Sequence, residues 1–201
     1  LNGVDVGYYS APTFADIDGD GDLDAFIGEY YGVSYYENTG SKTAPTLVER
    51  TGTANPLGSA AAGWNTIPAF VDIDGDGDLD AFIGEYYGTV KYFKNTGSRT
   101  APVLVEQTGT ANPLNGVDVG ASVKGYSAPT FADIDGDGDL DAFIGEYYGT
   151  VKHFRNDTKF PWAMFLPAIT SNSGVPSTPA SYWSALSYLY CPSSATTFSL
   201  T

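Results

Sequence analysis

One stretch of seventeen residues, DIDGDGDLDAFIGEYYG, occurs three times without a change in this chain of 201 residues, at 16–32, 72–88 and 133–149. Exact internal repetition predicts an array of similar structural units rather than one irregular core. The phenylalanines that precede the stretch, Phe14, Phe70 and Phe131, are 56 and 61 residues apart. Each unit is therefore about 60 residues long, a period close to that of propeller blades.

Each unit contains four candidate strands. In the first unit they are the runs APTFAD, DAFIGEYYG, VSYYEN and APTLVERT, which alternate larger apolar residues with small or polar ones and are separated by turn residues. This pattern is typical of short antiparallel strands. It predicts an all-β fold, a β-propeller-like array of four-stranded antiparallel blades. We predict blades at about 1–57, 58–114 and 115–157, joined by Gly- and Asn-rich surface connections at 52–66 and 109–127.

The segment 158–201 differs from the repeats, because it has no acidic residue, a single charge at Lys159, and many Ser, Thr, Pro and aromatic residues. Within it, SYWSALSYLY at 181–190 places its serines on one face, and prolines stand on both sides. That spacing predicts a short helix. Its apolar face is a candidate to cover an exposed end of the array, either in its own chain or in the next one.

Each repeat opens with carboxylates at alternate positions 1, 3, 5, 7 and 9, with glycines between them. Ca²⁺ prefers six to eight hard oxygen ligands, whereas Mg²⁺ demands stricter geometry and Zn²⁺ prefers Cys and His. Without an ion these carboxylates would repel one another. An EF-hand is rejected, because it needs a Glu at position 12, where these loops have Ile27, Ile83 and Ile144. We predict about three Ca²⁺ ions per chain, on Asp16, Asp18, Asp20, Asp22, Asp24, Asp72, Asp74, Asp76, Asp78, Asp80, Asp133, Asp135, Asp137, Asp139 and Asp141.

The pattern D-x-D-G-D-G-x-x-D, followed by FIG, a turn, a strand and NTG, resembles the FG-GAP or VCBS repeat, the calcium-binding blade of integrin-alpha-like propellers. The resemblance covers about residues 1–157. It implies that the side chains at loop positions 1, 3, 5 and 9 bind calcium. It also implies that position 7, which is Asp22, Asp78 or Asp139, contributes its backbone carbonyl.

Closed propellers have about four to eight blades, but this sequence contains three calcium motifs. We therefore expect open ends that pair with other copies of the chain, in a closed ring or in an open-ended fibre. A longer natural protein is the other explanation. The chain starts within a repeat, since LNGVDVG at 1–7 recurs at 114–120, and we interpret it as a processed product or a fragment.

Charge and composition limit the partners. The formal net charge of −15 excludes nucleic acid and anionic membranes as expected partners, and no apolar run is long enough for membrane insertion. Asn156 begins a glycosylation sequon. Cys191 stands alone, so it is either buried or forms a bridge between chains. Glycans are possible ligands if exposed tyrosines stack on sugars. The candidates are Tyr30, Tyr31, Tyr86, Tyr87, Tyr147 and Tyr148; packing between blades is the alternative role for these residues.

We predict no catalytic residues. The single histidine, His153, stands where the other repeats have Tyr35 and Tyr92, and we interpret it as a surface strand residue. No nucleophile and base recur in the repeats. The leading hypothesis is an extracellular, secreted module with a structural or adhesive role, stabilised by calcium and self-assembling through its ends. The alternatives are a lectin-like carbohydrate-binding propeller and a non-catalytic propeller fragment of a larger secreted enzyme.

Overall fold

In the computed structural model, the residues described are 3–58, 63–119, 126–156 and 166–167. Within these ranges twelve strands form three separate antiparallel sheets of four strands each. The first sheet contains β1 (Ala11–Ala15), β2 (Asp24–Glu29), β3 (Gly32–Asn38) and β4 (Leu47–Arg50). The second contains β5 (Ile67–Val71), β6 (Asp80–Gly84), β7 (Val90–Asn95) and β8 (Leu104–Gln107). The third contains β9 (Ala128–Ala132), β10 (Asp141–Gly145), β11 (Val151–Arg155) and β12 (Leu166–Pro167).

The three sheets share one topology and one register. Their strands follow chain order from one edge to the other, and the first two strands of every sheet pair in the same way. Ala11 lies opposite Gly28 in the first sheet, and Ala128 lies opposite Gly145 in the third. The predicted all-β array of four-stranded blades is therefore confirmed for the described residues. They form three separate four-stranded sheets, consistent with three blades.

The third blade takes its fourth strand from beyond the repeats. β12 pairs with β11 through Phe154 and Arg155, and it lies in the segment that the sequence assigned to the tail at 158–201. The helix predicted at 181–190 and Cys191 fall outside the described residues.

The apolar core lies between adjacent blades. One cluster joins the face of the first sheet to the second sheet, and a second cluster joins the second sheet to the third. Aromatic rings mark both contacts: Phe26 packs on Phe70 with ring centroids 4.2 Å apart, and Phe82 packs on Phe131 at 4.6 Å. Burial of apolar area between sheets therefore holds neighbouring blades together.

The connections between blades were predicted to be surface segments, and for several residues that prediction is wrong. Leu57 and Leu114 are each 1 % exposed, because their side chains pack into the apolar clusters between blades. The asparagine two residues before each leucine fixes this geometry: Asn55 Nδ2 donates to the carbonyl oxygen of Val33 at 3.0 Å, and Asn112 Nδ2 does the same to Val90 at 2.9 Å.

Each second strand separates two chemically different ends of the blade. In the first blade the aspartate loop precedes β2, and Tyr30 and Tyr31 follow it. Acidic loops and tyrosine turns therefore lie at opposite ends of this strand, and the same order recurs in β6 and β10. Among the described residues no helix has the length and apolar character needed to span a membrane.

Candidate calcium centre

Each aspartate loop connects the first and second strands of a blade. In the first blade it runs from Asp16 to Leu23, between β1 and β2. Gly19 and Gly21 have φ angles of 69° and 95°, in the left-handed region that favours glycine. These two glycines let the loop curl, so that alternate side chains point toward its centre.

The carboxylates at positions 1, 3 and 5 converge in all three loops. In every loop one oxygen from each of the three lies within 4.8 Å of the others. The backbone N–H at position 6 supports the first carboxylate: Gly77 donates to Asp72 at 3.0 Å and Gly138 donates to Asp133 at 3.1 Å. The sequence predicts that these residues bind one cation in each loop. The structure brings them together in clusters that could each hold such an ion.

The ninth-position aspartates are the most deeply buried members of the loops. Asp24, Asp80 and Asp141 are 2 %, 1 % and 1 % exposed. Each accepts a hydrogen bond of 2.7 Å from the backbone N–H of the asparagine that ends or follows the third strand: Asn38, Asn95 or Asn156. The loop is thereby tied to the centre of its own sheet.

Comparison with known protein families also identifies these segments as repeats. A family model described as the FG-GAP-like repeat matches residues 16–83 and again 72–144. The chain belongs to the FG-GAP-like repeat family. No match to this chain was found among the curated proteins. FG-GAP-like repeats often bind calcium, and the three acidic clusters stand at the loops of these repeats.

The residues of these FG-GAP-like loops fit a hard divalent cation. The converging donors are all carboxylate oxygens, which suit Ca²⁺. In addition, Asp22 is 8 % exposed and its Oδ1 atom has no hydrogen-bond partner among the described residues. Oδ2 of the buried Asp141 also lacks one. Buried carboxylate oxygens without a partner are costly, and a cation would satisfy them.

Two tyrosines that the sequence did not assign to the site support it. Tyr35 OH donates to Asp24 at 3.3 Å, and Tyr92 OH donates to Asp80 at 3.1 Å. His153 replaces them in the third blade, where its Nε2 atom lies 3.7 Å from Asp141 Oδ2. His153 lies on a strand, β11, as predicted, but it is half-buried: its side chain is 27 % exposed and stacks on Phe143 with ring centroids 4.5 Å apart.

Basic side chains distinguish the three loops. Lys94 forms ion pairs with Asp74 and Asp76 of the second loop. Arg155 lies 2.7 Å from Asp135 in the third loop. The first repeat has Glu37 at the matching position. A positive side chain beside the carboxylates competes with an incoming cation, so the loops differ in the local charge that calcium meets.

A basic side chain of the next blade also reaches the first loop. Arg99 Nη2 lies 3.2 Å from Asp16 Oδ2, although the two residues are 83 positions apart. The same arginine packs over Gly19. The ion pair therefore joins the first calcium loop to the second blade.

Replacing Lys94 with Gln is expected to tighten calcium binding at the second loop by roughly twofold to fivefold. Removing the ammonium group deletes its ion pair with Asp74, and about 0.4–1 kcal/mol of competition corresponds to this change in affinity. Calorimetric titration of calcium into the calcium-free protein measures the effect. Lys91→Gln on the same strand is the matched control, because it changes the net charge equally. Equal affinity in the two variants would contradict a competing role for Lys94.

The buried carboxyls predict how pH affects the calcium-free protein. Burial away from water raises the pKa of Asp24 from 3.8 to about 6 and that of Asp80 to about 7, against hydrogen bonds from Asn38 and Asn95 that lower it. The folded state holds these protons more tightly than the unfolded chain does. The protonated carboxyls therefore stabilise the fold below their unfolded pKa, and this stabilisation is lost as pH rises through about 6 to 7. We expect the free energy of unfolding without calcium to fall between about pH 5 and pH 8.

Urea denaturation in calcium-depleted buffer at both pH values checks this expectation. Saturating calcium is expected to remove or reverse the trend, because the ion binds the deprotonated carboxylates. Higher stability of the calcium-free protein at the alkaline end would contradict the assignment.

The tyrosine turns form an aromatic surface. Tyr30 stacks on Trp64 with ring centroids 5.6 Å apart, and Tyr86 meets Tyr126 at 5.0 Å. The first tyrosine of these pairs thus packs against the connection that leads into the next blade. Trp64 and Tyr126 were not among the predicted site residues, because they lie in connections that differ between repeats.

The second tyrosine of each turn faces solvent. Tyr31 is 71 % exposed, Tyr87 51 % and Tyr148 63 %. At the third blade Tyr147 is also 63 % exposed, and it borders a cleft of about 660 Å³ together with Tyr9, Tyr126 and Gly145. The six predicted tyrosines therefore divide into packing and exposed members.

The predicted glycosylation at Asn156 does not fit the fold. Asn156 is 4 % exposed, and its Nδ2 donates to the carbonyl oxygen of Leu140 at 3.4 Å. A glycan on this nitrogen is incompatible with that burial.

Proposed function

We propose that the chain is an extracellular, calcium-stabilised structural or adhesive repeat protein that self-assembles through the ends of its blade array. The observation that carries the proposal is the triplicated acidic cluster at the loops of an FG-GAP-like array. Many extracellular calcium modules bind the ion weakly and rely on its millimolar concentration outside cells. This is the basis for the extracellular part of the proposal. The assignment is non-enzymatic.

Calcium would act by joining the strands of each blade. The loop links β1 to β2, and its last aspartate is bonded to the residue that ends β3. An ion on the loop therefore fixes three of the four strands relative to one another. Three calcium ions would also offset six of the fifteen net negative charges and reduce repulsion between copies.

Sedimentation velocity with and without calcium tests the proposal as a whole. We expect particles larger than one chain in calcium, and smaller and less stable particles after chelation with EGTA. Unchanged particle size together with unchanged thermal stability would refute the proposal.

A carbohydrate-binding role is the second candidate, and the exposed tyrosines favour it. Tyr31 lies against Tyr30 with ring centroids 4.4 Å apart and nearly perpendicular planes, and the other turns repeat this arrangement. Flat rings with hydroxyl groups suit stacking on sugars. Binding on a glycan array that is lost in Tyr31→Ala, Tyr87→Ala and Tyr148→Ala together would support this role. Absence of binding by the wild-type protein would remove it.

A further inference from the structure

Neighbouring blades meet through one contact that occurs twice in the chain. At the first junction Thr66 N donates to the carbonyl oxygen of Glu29 at 3.0 Å. At the second, Ser127 N donates to that of Glu85 at 3.2 Å. The same chemistry at matching positions shows that the repeat encodes both the blade and its contact with the next blade.

Glycine in the FIG motif makes this contact possible. A Cβ atom at Gly28 would lie 2.0 Å from the carbonyl oxygen of Thr66, and one at Gly84 would lie 2.0 Å from that of Ser127. Both distances are far below van der Waals contact. The backbone of each following blade therefore sits directly on this glycine.

The first blade presents the incoming half of the same contact. Ser10 and Pro12 are exposed and Phe14 is 53 % exposed, whereas the matching Thr66 and Ser127 are 1 % and 0 % exposed. No preceding blade covers them among the described residues.

The backbone of this segment already has the docked conformation. Tyr9 has a φ angle of 62°, and the residues at the matching positions of the two junctions, Asn65 and Tyr126, have 52° and 44°. A left-handed conformation is costly for residues other than glycine, so its presence at all three positions is a specific feature. The first blade is thus shaped for a contact that it does not make within the described chain.

The third blade presents the receiving half. Val151 is 37 % exposed, while its counterparts Val33 and Val90 are 6 % and 4 % exposed. A Cβ atom at Gly145 would find nothing closer than Ala128 Cβ at 3.8 Å. The glycine that receives a neighbour in the first two blades is open in the third.

We propose that a second copy of this chain docks its Ser10–Phe14 segment on the β10–β11 face of the third blade. The contact repeats the second junction: Ser10 takes the place of Ser127 on Glu146, and Phe14 packs on Phe143. This inference rests on the self-assembly proposed above and specifies its interface. The contact is heterologous, because each copy uses a different surface at each end.

Sequence identity between the halves favours a second copy as the occupant. The receiving motif DAFIGEYYG is identical in all three blades, and the incoming Ser-Ala-Pro at 10–12 is identical to that at 127–129. A copy of the chain would therefore place on Gly145 the same three residues that Gly84 receives at the second junction. The pairing is continuous with a contact that the molecule already makes.

Two substitutions test the incoming and receiving halves of the contact separately. Gly145→Ala adds a methyl group that the isolated chain accommodates but the contact does not, and Phe14→Asp places a charge in the incoming half. Each variant alone is expected to weaken association by roughly tenfold to a hundredfold, the equivalent of an overpacked contact. Sedimentation velocity in calcium measures this, and circular dichroism checks that both variants remain folded.

Mixing the two variants gives the decisive result. Gly145→Ala retains an intact incoming end, and Phe14→Asp retains an intact receiving end, so an equimolar mixture is expected to form dimers and nothing larger. Thr100→Ala, at an exposed position of the second blade and away from both ends, is the control and should assemble like the wild type. A mixture that stays monomeric, or a Gly145→Ala protein that assembles normally, would overturn the proposed interface while leaving self-assembly intact. A wild-type protein that is monomeric in calcium at its highest soluble concentration would overturn both, and would mean that the tail or another partner covers these faces.

Discussion

Replacement of Gly84 by alanine is expected to destabilise the protein by about 1–3 kcal/mol or more, which is the usual cost of overpacking a close contact. The added Cβ would lie 2.0 Å from the carbonyl oxygen of Ser127 and 2.7 Å from Pro129 Cδ. The first of these atoms is backbone and the second belongs to a rigid ring, so neither can move away as a flexible side chain would. The second and third blades must separate to accept the methyl group. For a chain of this length the Tm should fall by roughly 2–4 °C per kcal/mol.

Gly145→Ala is the matched control for Gly84→Ala. It makes the same chemical change in the same sequence motif, but its nearest neighbour would be 3.8 Å away. Because alanine also restricts the unfolded chain, we expect this variant to be as stable as the wild type or slightly more stable at concentrations where the protein is monomeric. Equal destabilisation of the two variants in thermal melts would contradict the blade contact described above.

Saturating calcium is expected to produce the second large effect. An ion present at about a hundred times its Kd stabilises the folded state by about 2.7 kcal/mol per site, so three sites approach about 8 kcal/mol. The physical reason is that calcium binds the converged carboxylates of the folded loops and not those of the unfolded chain. Thermal melts with calcium and with EGTA measure the difference. Magnesium at equal ionic strength separates coordination from simple screening of charge.

Asp24→Asn tests this effect within one loop. The amide retains an oxygen and the shape of the side chain, but it removes a negative charge that burial makes costly. Near pH 8 the calcium-free variant is expected to be more stable than the calcium-free wild type, because Asp24 is buried and its pKa is raised to about 6. In calcium the order should reverse. The same order under both conditions would contradict the assignment of Asp24 as a ligand.

The loops and strands were predictable because their information is local. Five aspartates at alternate positions and glycines at Gly19 and Gly21 specify the loop within nine residues. The alternating runs on either side specify strands by their period of two. Because the stretch occurs three times, each local prediction holds for all three blades.

The contacts that complete the site were not predictable in this way, because they join distant positions. Arg99 reaches Asp16 across 83 residues, and the hydroxyl of Tyr92 reaches Asp80 across 12. Leu57 was interpreted as part of a surface connection because its neighbours are polar and small, yet it fills the space between two sheets. In each case the sequence shows the residue type, whereas the partner depends on how the strands pair or how the blades are stacked.

His153 shows the same limitation at a single position. The sequence indicates a surface strand residue here, at a position where the other repeats have tyrosine. The structure instead puts the ring beside Phe143 and Asp141, at the point where Tyr35 and Tyr92 contact their own aspartates. Comparison of the three repeats gave the signal, since a position that holds tyrosine twice on a β-strand is more often packed than free.

Calorimetric titration of calcium into the calcium-depleted protein tests the central claim most directly. The account predicts saturable binding of about three ions per chain, and a lower affinity at one of the three sites when Asp24 is replaced by asparagine. Titration to millimolar calcium without saturable binding would contradict it, because the converged aspartates would then be acidic turns with no ion to hold.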